Sequence, residues 1–109
     1  MFYLFNQNNS GGGFDVDDNV SHYTIIEADS AEEANSTAIT KGIYFNGCED
    51  DLDCPCCGDR WYPVDDSDGT EKPEVYSNAD LQEASDKDVF IPSKHSVIVH
   101  MKNGDIIRV

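Results

Sequence analysis

The chain has 109 residues, of which 22 are acidic and 7 basic, giving a formal net charge of −15. That length holds one domain, residues 1–109, with a modest core. The charge argues against broad, backbone-tracking nucleic-acid binding, because phosphates would meet a like-charged field. No stretch approaches the roughly 20 apolar residues of a membrane span.

In chain order, MFYLFNQNNS lacks a basic leader region and is apolar over Met1–Phe5, so it reads as a buried strand and not as a signal peptide. An intracellular, reducing setting follows, in which cysteines serve disulfides less often than metals or packing. The polar run NQNNSGGG comes next, its glycines permitting backbone angles that other residues resist. His22–Ala28 (HYTIIEA) is rich in β-branched and aromatic residues and predicts a second strand. Ser30-Ala31-Glu32-Glu33 fits the S-x-x-E capping box and predicts a helix from Ala31 to about Lys41, terminated by a left-handed Gly42. Ala31, Ala34, Ala38 and Ile39 are its expected inward residues; most are small, so the helix should lie close to a sheet. Ile43–Phe45 reads as a buried return.

Residues Glu49 to Asp88 carry fourteen acidic residues against three basic ones. This stretch predicts a loop-rich half with one short helix, Asn78–Ala84, capped by Ser77. So much irregular chain is unusual unless something ties it down. At the C-terminus, Ser96–Met101 and Asp105–Val109 flank Lys102-Asn103-Gly104. Asn-Gly is the preferred centre of a two-residue type I′ hairpin, which sets Lys102 opposite Asp105, Met101 opposite Ile106 and His100 opposite Ile107. The expected fold class is α+β: a small, mainly antiparallel sheet with one principal helix against it.

The segment DCPCCGDRWYP, Asp53–Pro63, holds three of the four cysteines and the only tryptophan. Cys54-Pro55-Cys56-Cys57-Gly58 contains C-P-x-C-G, the form of a zinc knuckle, in which two thiolates point at one ion while glycine turns the chain beneath it. Cys48 could add a third ligand, and Cys56 or one of His22, His95 and His100 a fourth. Against a full zinc ribbon, a second knuckle is missing, and adjacent Cys56 and Cys57 make joint ligation awkward. The competing readings are free thiols packed as small hydrophobes and a disulfide or redox pair. The redox pair lacks the strand-to-helix setting such sites use.

Asp15-Val16-Asp17-Asp18-Asn19 mimics the start of a calcium loop but has Val20 where glycine is needed and Ile26 where glutamate is needed. Asn8, Asn9, Ser10, Gly11, Gly12 and Gly13 could form an amide nest for an anion. Arg60 beside Trp61 and Tyr62 could clamp a phosphate and stack a base; it could equally pair with Asp59 and pack on Trp61. Asp50, Asp51, Asp53, Asp65, Asp66 and Asp68 form an acidic surface suited to a basic protein. No Ser-His-Asp arrangement is supported, and no carboxylate pair stands out, so no catalytic residue is nominated.

The strings NNSGG, EADSAEEAN, GIYFNG and DCPCCGDRW, spread over Met1–Tyr62, resemble a group of small tailed-bacteriophage accessory proteins. No biochemical role comes with that resemblance. It implies a context: action in the host cytoplasm, often against a bacterial defence. Three functions are compatible with the residues. The leading one is a non-enzymatic interaction or inhibitor protein that binds a basic host protein, with nucleic-acid mimicry as one form. The others are sequestration of a small anionic nucleotide signal by the glycine loop and Arg60, and a metal- or thiol-dependent enzyme at Cys54 and Cys57.

Overall fold

A computed structural model describes residues 1–8, 13–88 and 95–109. Strands β1 (Phe2–Asn6), β2 (Tyr23–Glu27), β3 (Val97–His100) and β4 (Ile106–Arg108) form one sheet in the order β1-β2-β3-β4. The outer pairs are antiparallel and the central β2–β3 pair is parallel. Two helices, α1 (Ala31–Thr40) and α2 (Leu81–Asp86), complete a mostly antiparallel α+β fold. No helix among the described residues is long and apolar enough to cross a membrane.

Both faces of the sheet are covered, which explains why its strands read as apolar runs without clean alternation. On one face, Tyr3, Phe5 and Ile26 pack with Ala31, Ala34 and Ala38 of α1 and with Ile43, Trp61 and Val64. On the other, Ile25, Val97 and Val99 meet Val75 and, through partly buried Leu81 and Ala84, helix α2. Ser30 caps α1 as expected, its hydroxyl accepting from Glu33 N at 3.2 Å, and Gly42 takes φ +100 just past the helix end. Ala34 and Ala38 are fully buried, and their small side chains let the helix sit close. Ile39, expected inward, is instead 60 % exposed. It lies about 100° around the helix from Ala38, beyond the narrow alanine stripe.

Two local expectations shift. The short helix starts at Leu81, with Asp80 as its cap accepting from Glu83 N at 3.1 Å, in place of Asn78 with Ser77 as cap. Ser77 is unavailable because Val75 and Asn78 exchange backbone hydrogen bonds around a tight turn in which Tyr76 has φ +49 and Ser77 φ +68. An N-cap needs extended backbone. Two consecutive left-handed non-glycine residues cost about 1–3 kcal/mol each.

The C-terminal hairpin exists, but its register is one residue off the type I′ expectation: His100 pairs with Ile106 and Val99 with Ile107. Met101 N donates to Asp105 O at 2.8 Å, leaving a three-residue loop with Gly104 at φ +99. Asn103 keeps a negative φ, so the loop has the form of a turn followed by a glycine bulge. That one-residue change moves every β4 side chain to the opposite face.

Candidate functional site

The cysteine segment is tied to the sheet through Asn8, just past the end of β1. Its side-chain amide donates to Cys57 O at 2.8 Å and Asp59 O at 3.1 Å, and its backbone N donates to Arg60 O at 2.8 Å. Cys57 N closes a turn onto Cys54 O at 3.1 Å, and Gly58 then takes φ +86. A side chain at Gly58 would be strained by that angle and would meet the Tyr62 hydroxyl at 3.1 Å. Asn8, expected as a ligand contact, is therefore a structural anchor for the knuckle.

The turn brings the sulfurs of Cys54, Cys56 and Cys57 within 4.8 Å of one another, with Cys54 half-buried and the other two exposed. Three thiolates bound to one zinc at 2.3 Å would stand about 3.8 Å apart. The cluster thus lies within metal-binding distance despite the adjacency of Cys56 and Cys57. Hydrogen bonding from Cys56, and then from Cys57, holds the Cys54 thiol below its usual range, while the same contacts push Cys56 up to about 11. Negative charge is thus favoured on Cys54 and resisted on Cys56, a resistance that a bound cation would offset.

Cys48 stands outside this group. Its thiol donates to Cys54 O at 3.4 Å, and burial together with the Asp59 carboxylate pushes it up to about 11. The histidines proposed as a fourth ligand are engaged or placed elsewhere. His22 Nδ1 contacts the buried Asp88 carboxylate at 2.7 Å, His100 Nε2 donates to Asn19 O at 2.6 Å, and His95 lines a hollow with Asp17, Asp18 and Arg108.

Arg60 does not face outward as an anion clamp. Its guanidinium, in a side chain 12 % exposed, donates to Gln7 Oε1 at 2.9 Å and Gly13 O at 2.7 Å. Arg60 Nε lies 3.2 Å from the Tyr44 hydroxyl, 3.3 Å from the Asp15 carboxylate and 3.6 Å from that of Asp53. Asp53, expected on the acidic surface, is the buried centre of this cage. It accepts from Tyr44 Oη at 2.7 Å and from Arg60 N at 2.8 Å. Burial, and then the Asp53 contact, push the Tyr44 hydroxyl above its ordinary range. Trp61 is 1 % exposed within the α1-side core and has no face to offer a base; Tyr62 is 55 % exposed. Of the proposed nest, Asn9, Ser10, Gly11 and Gly12 lie outside the described residues, while Gly13 supplies the carbonyl that Arg60 holds.

The other acidic candidates are exposed, in two places. Asp50 and Asp51 lie in the turn before the knuckle, where Asn46 (φ +59) and Asp51 (φ +60) supply left-handed angles that their side chains tolerate. Asp65, Asp66 and Asp68 lie in and beside a 3₁₀ turn over Asp66–Asp68. Asp66 also accepts from Ala31 N at 2.8 Å, anchoring that turn to the start of α1. The His22–Asp88 pair was not foreseeable: its partners are 66 residues apart, with no local pattern linking them.

The chain belongs to the family described as Domain of unknown function (DUF7296), whose model matches residues 1–109. No curated protein and no solved structure matches it.

Proposed function

We propose that this chain is a non-enzymatic interaction protein that binds a basic surface of a partner protein through its acidic loops, with the cysteine knuckle as a structural zinc site. The observation that carries this reading is how the charges are distributed. Three of the six described lysines and arginines are held by the chain's own carboxylates: Arg60 by Asp15 and Asp53, Lys102 by Asp29 and Glu33, Lys87 by Glu83. Asp50, Asp51, Asp65 and Asp68 remain exposed, with no described cation within ion-pair distance. Arg60 and Trp61, the expected nucleotide clamp, are instead engaged in internal hydrogen bonds and core packing. The resemblance to tailed-phage proteins makes the partner a bacterial host protein met in the host cytoplasm. Carboxylates standing where DNA phosphates would lie are one way of inhibiting it.

The test is capture from bacterial extract with the intact protein and with a triple variant, Asp50→Asn, Asp51→Asn and Asp65→Asn. A basic protein should be retained by the intact chain, released as salt rises toward the physiological range, and lost with the variant. Equal capture by both proteins, or a partner held equally at low and high salt, refutes the reading. For the knuckle, protein purified without chelator should carry about one zinc per chain, lost on Cys54→Ser or Cys57→Ser and kept on Cys48→Ser. Less than about a tenth of a zinc per chain removes the metal from this account.

A further inference from the structure

The outer edge of β1 is closed at both ends and open between them. Phe2 exchanges backbone hydrogen bonds with Thr70 at 2.7 and 2.9 Å, and Asn8 N donates to Arg60 O at 2.8 Å. Ala28 N donates to Met1 O and Gln7 N to His22 O, so the odd-numbered residues of this stretch face β2. By antiparallel alternation, the amides and carbonyls of Leu4 and Asn6 point the other way, outward, like those of Phe2 and Asn8. They have no backbone partner among the described residues.

Leu4 and Asn6 border a cleft of about 550 Å³, whose lining also includes Tyr62, Asp68, Thr70, Glu74 and Tyr76. Among the described residues, no lysine, arginine or histidine lines it. Tyr62 and Tyr76 are 55 % and 67 % exposed, an unusual state for two large rings at one opening. Tyr76 is set there by the left-handed Tyr76-Ser77 turn, and its hydroxyl accepts a hydrogen bond from the Asn6 side chain. Backbone strain held at a cleft mouth, in residues without glycine's freedom, is the kind of feature that function retains.

We propose that this cleft binds an extended, arginine- or lysine-bearing segment of a partner protein, which adds to the free edge of β1 at Leu4 and Asn6. Two residues of free edge offer two amides and two carbonyls to a short strand. Alternate side chains of such a strand point the same way, so one set projects toward the cleft. There the Glu74 and Asp68 carboxylates and the faces of Tyr62 and Tyr76 suit a guanidinium or ammonium group. The Phe2–Thr70 and Asn8–Arg60 contacts limit the added strand to about three residues, which fits a partner loop or tail better than a second sheet. The charge of the occupant rests on the basic-partner reading above; the strand addition does not.

The probe is a capped Arg-Val-Arg-Val-Arg pentapeptide, compared with its alternately N-methylated form and with a Thr-Val-Thr-Val-Thr peptide. Binding is read from amide resonances and hydrogen exchange of the full chain. Expected results are slowed exchange at the Leu4 and Asn6 amides, loss of binding on N-methylation, and about tenfold weaker binding with Tyr76→Ala. Glu74→Gln should weaken the arginine peptide several-fold and leave the threonine peptide unchanged.

Tyr76 is exposed and alanine meets the same backbone angle there as tyrosine, while Glu74 is half-buried and glutamine keeps its shape, so both variants should fold. No perturbation at Leu4 and Asn6 with millimolar peptide overturns the proposal, as does arginine-peptide binding that survives N-methylation and Tyr76→Ala but fails in the Asp50/Asp51/Asp65 variant. That second outcome leaves the broader acidic reading standing. Equal binding of the threonine peptide would keep the strand addition and overturn the basic occupant. Concentration-dependent pairing of this chain through the same amides would replace the partner with a second copy and overturn the proposal.

Discussion

Replacing Arg60 by alanine separates a structural role from a ligand-binding one, and the structure sets the size of the effect. The Asp53 side chain facing the guanidinium is completely inaccessible to solvent. It would keep its hydrogen bonds from Tyr44 and from Arg60 N but lose its only described cation. Breaking a buried ion pair on one side costs about 3–5 kcal/mol, because the stranded charge keeps its desolvation penalty. Asp15, 54 % exposed, should add less than about 1 kcal/mol. Against a typical stability of about 5–15 kcal/mol, Arg60→Ala should leave the fold marginal.

Urea unfolding followed by the fluorescence of buried Trp61 measures this directly. Pairing with Asp53→Asn gives the coupling, and the double variant should lose clearly less than the sum of the two singles. A loss below about 1 kcal/mol for Arg60→Ala would refute the cage and return the guanidinium to the surface role that nucleotide capture requires.

Two further outcomes are expected. His100 is buried, its Nε2 proton is given to Asn19 O, and its Nδ1 has no partner among the described residues. Burial, with smaller contributions from Lys41 and Arg108, holds its pKa below the usual 6.5 despite the Asn19 contact. The unfolded chain therefore takes up this proton first as pH falls. Stability should be full above pH 6.5 and decline below it, by at most about 1.4 kcal/mol per pH unit. His100→Gln should flatten that decline between about pH 6.5 and 5, and an unchanged slope would exclude His100 as its source. Gly104→Ala meets open space but inherits φ +99, so it should cost about 1 kcal/mol of backbone strain and lower the melting temperature by several degrees. An unchanged melting temperature would contradict the loop geometry.

The sequence revealed what neighbouring residues decide. The Ser30 cap, the Gly42 terminator, β2 and the existence of the C-terminal hairpin are set within a few residues of chain, and each is found. The hairpin register was not legible, because Asn-Gly serves both a two-residue turn and a three-residue loop with a glycine bulge. The partners of Arg60 were not legible for a different reason. Its neighbours Trp61 and Tyr62 suggested a clamp and Asp59 a salt bridge, whereas its partners in the fold, Gln7, Gly13, Asp15, Tyr44 and Asp53, converge only in the folded chain. The knuckle lies between these cases. C-P-x-C-G identified Cys54 and Cys57, but whether Cys48 or Cys56 joins them depends on which way each sulfur points.

The parallel pairing of β2 with β3 also bears on how the chain reaches this state. These central strands are joined only after roughly 70 intervening residues have been threaded between them, a closure whose entropy must be met before the contact forms. On a ribosome, β1 and β2 emerge first and can form a ribbon at once. The inner edge of β2, with Ile25 and Ile26, then waits for the last strands to be synthesised. During that interval the nascent protein carries an apolar pairing edge able to join another copy. Premature termination before Val97 would make that exposure permanent, so C-terminally truncated chains should aggregate despite their heavy negative charge.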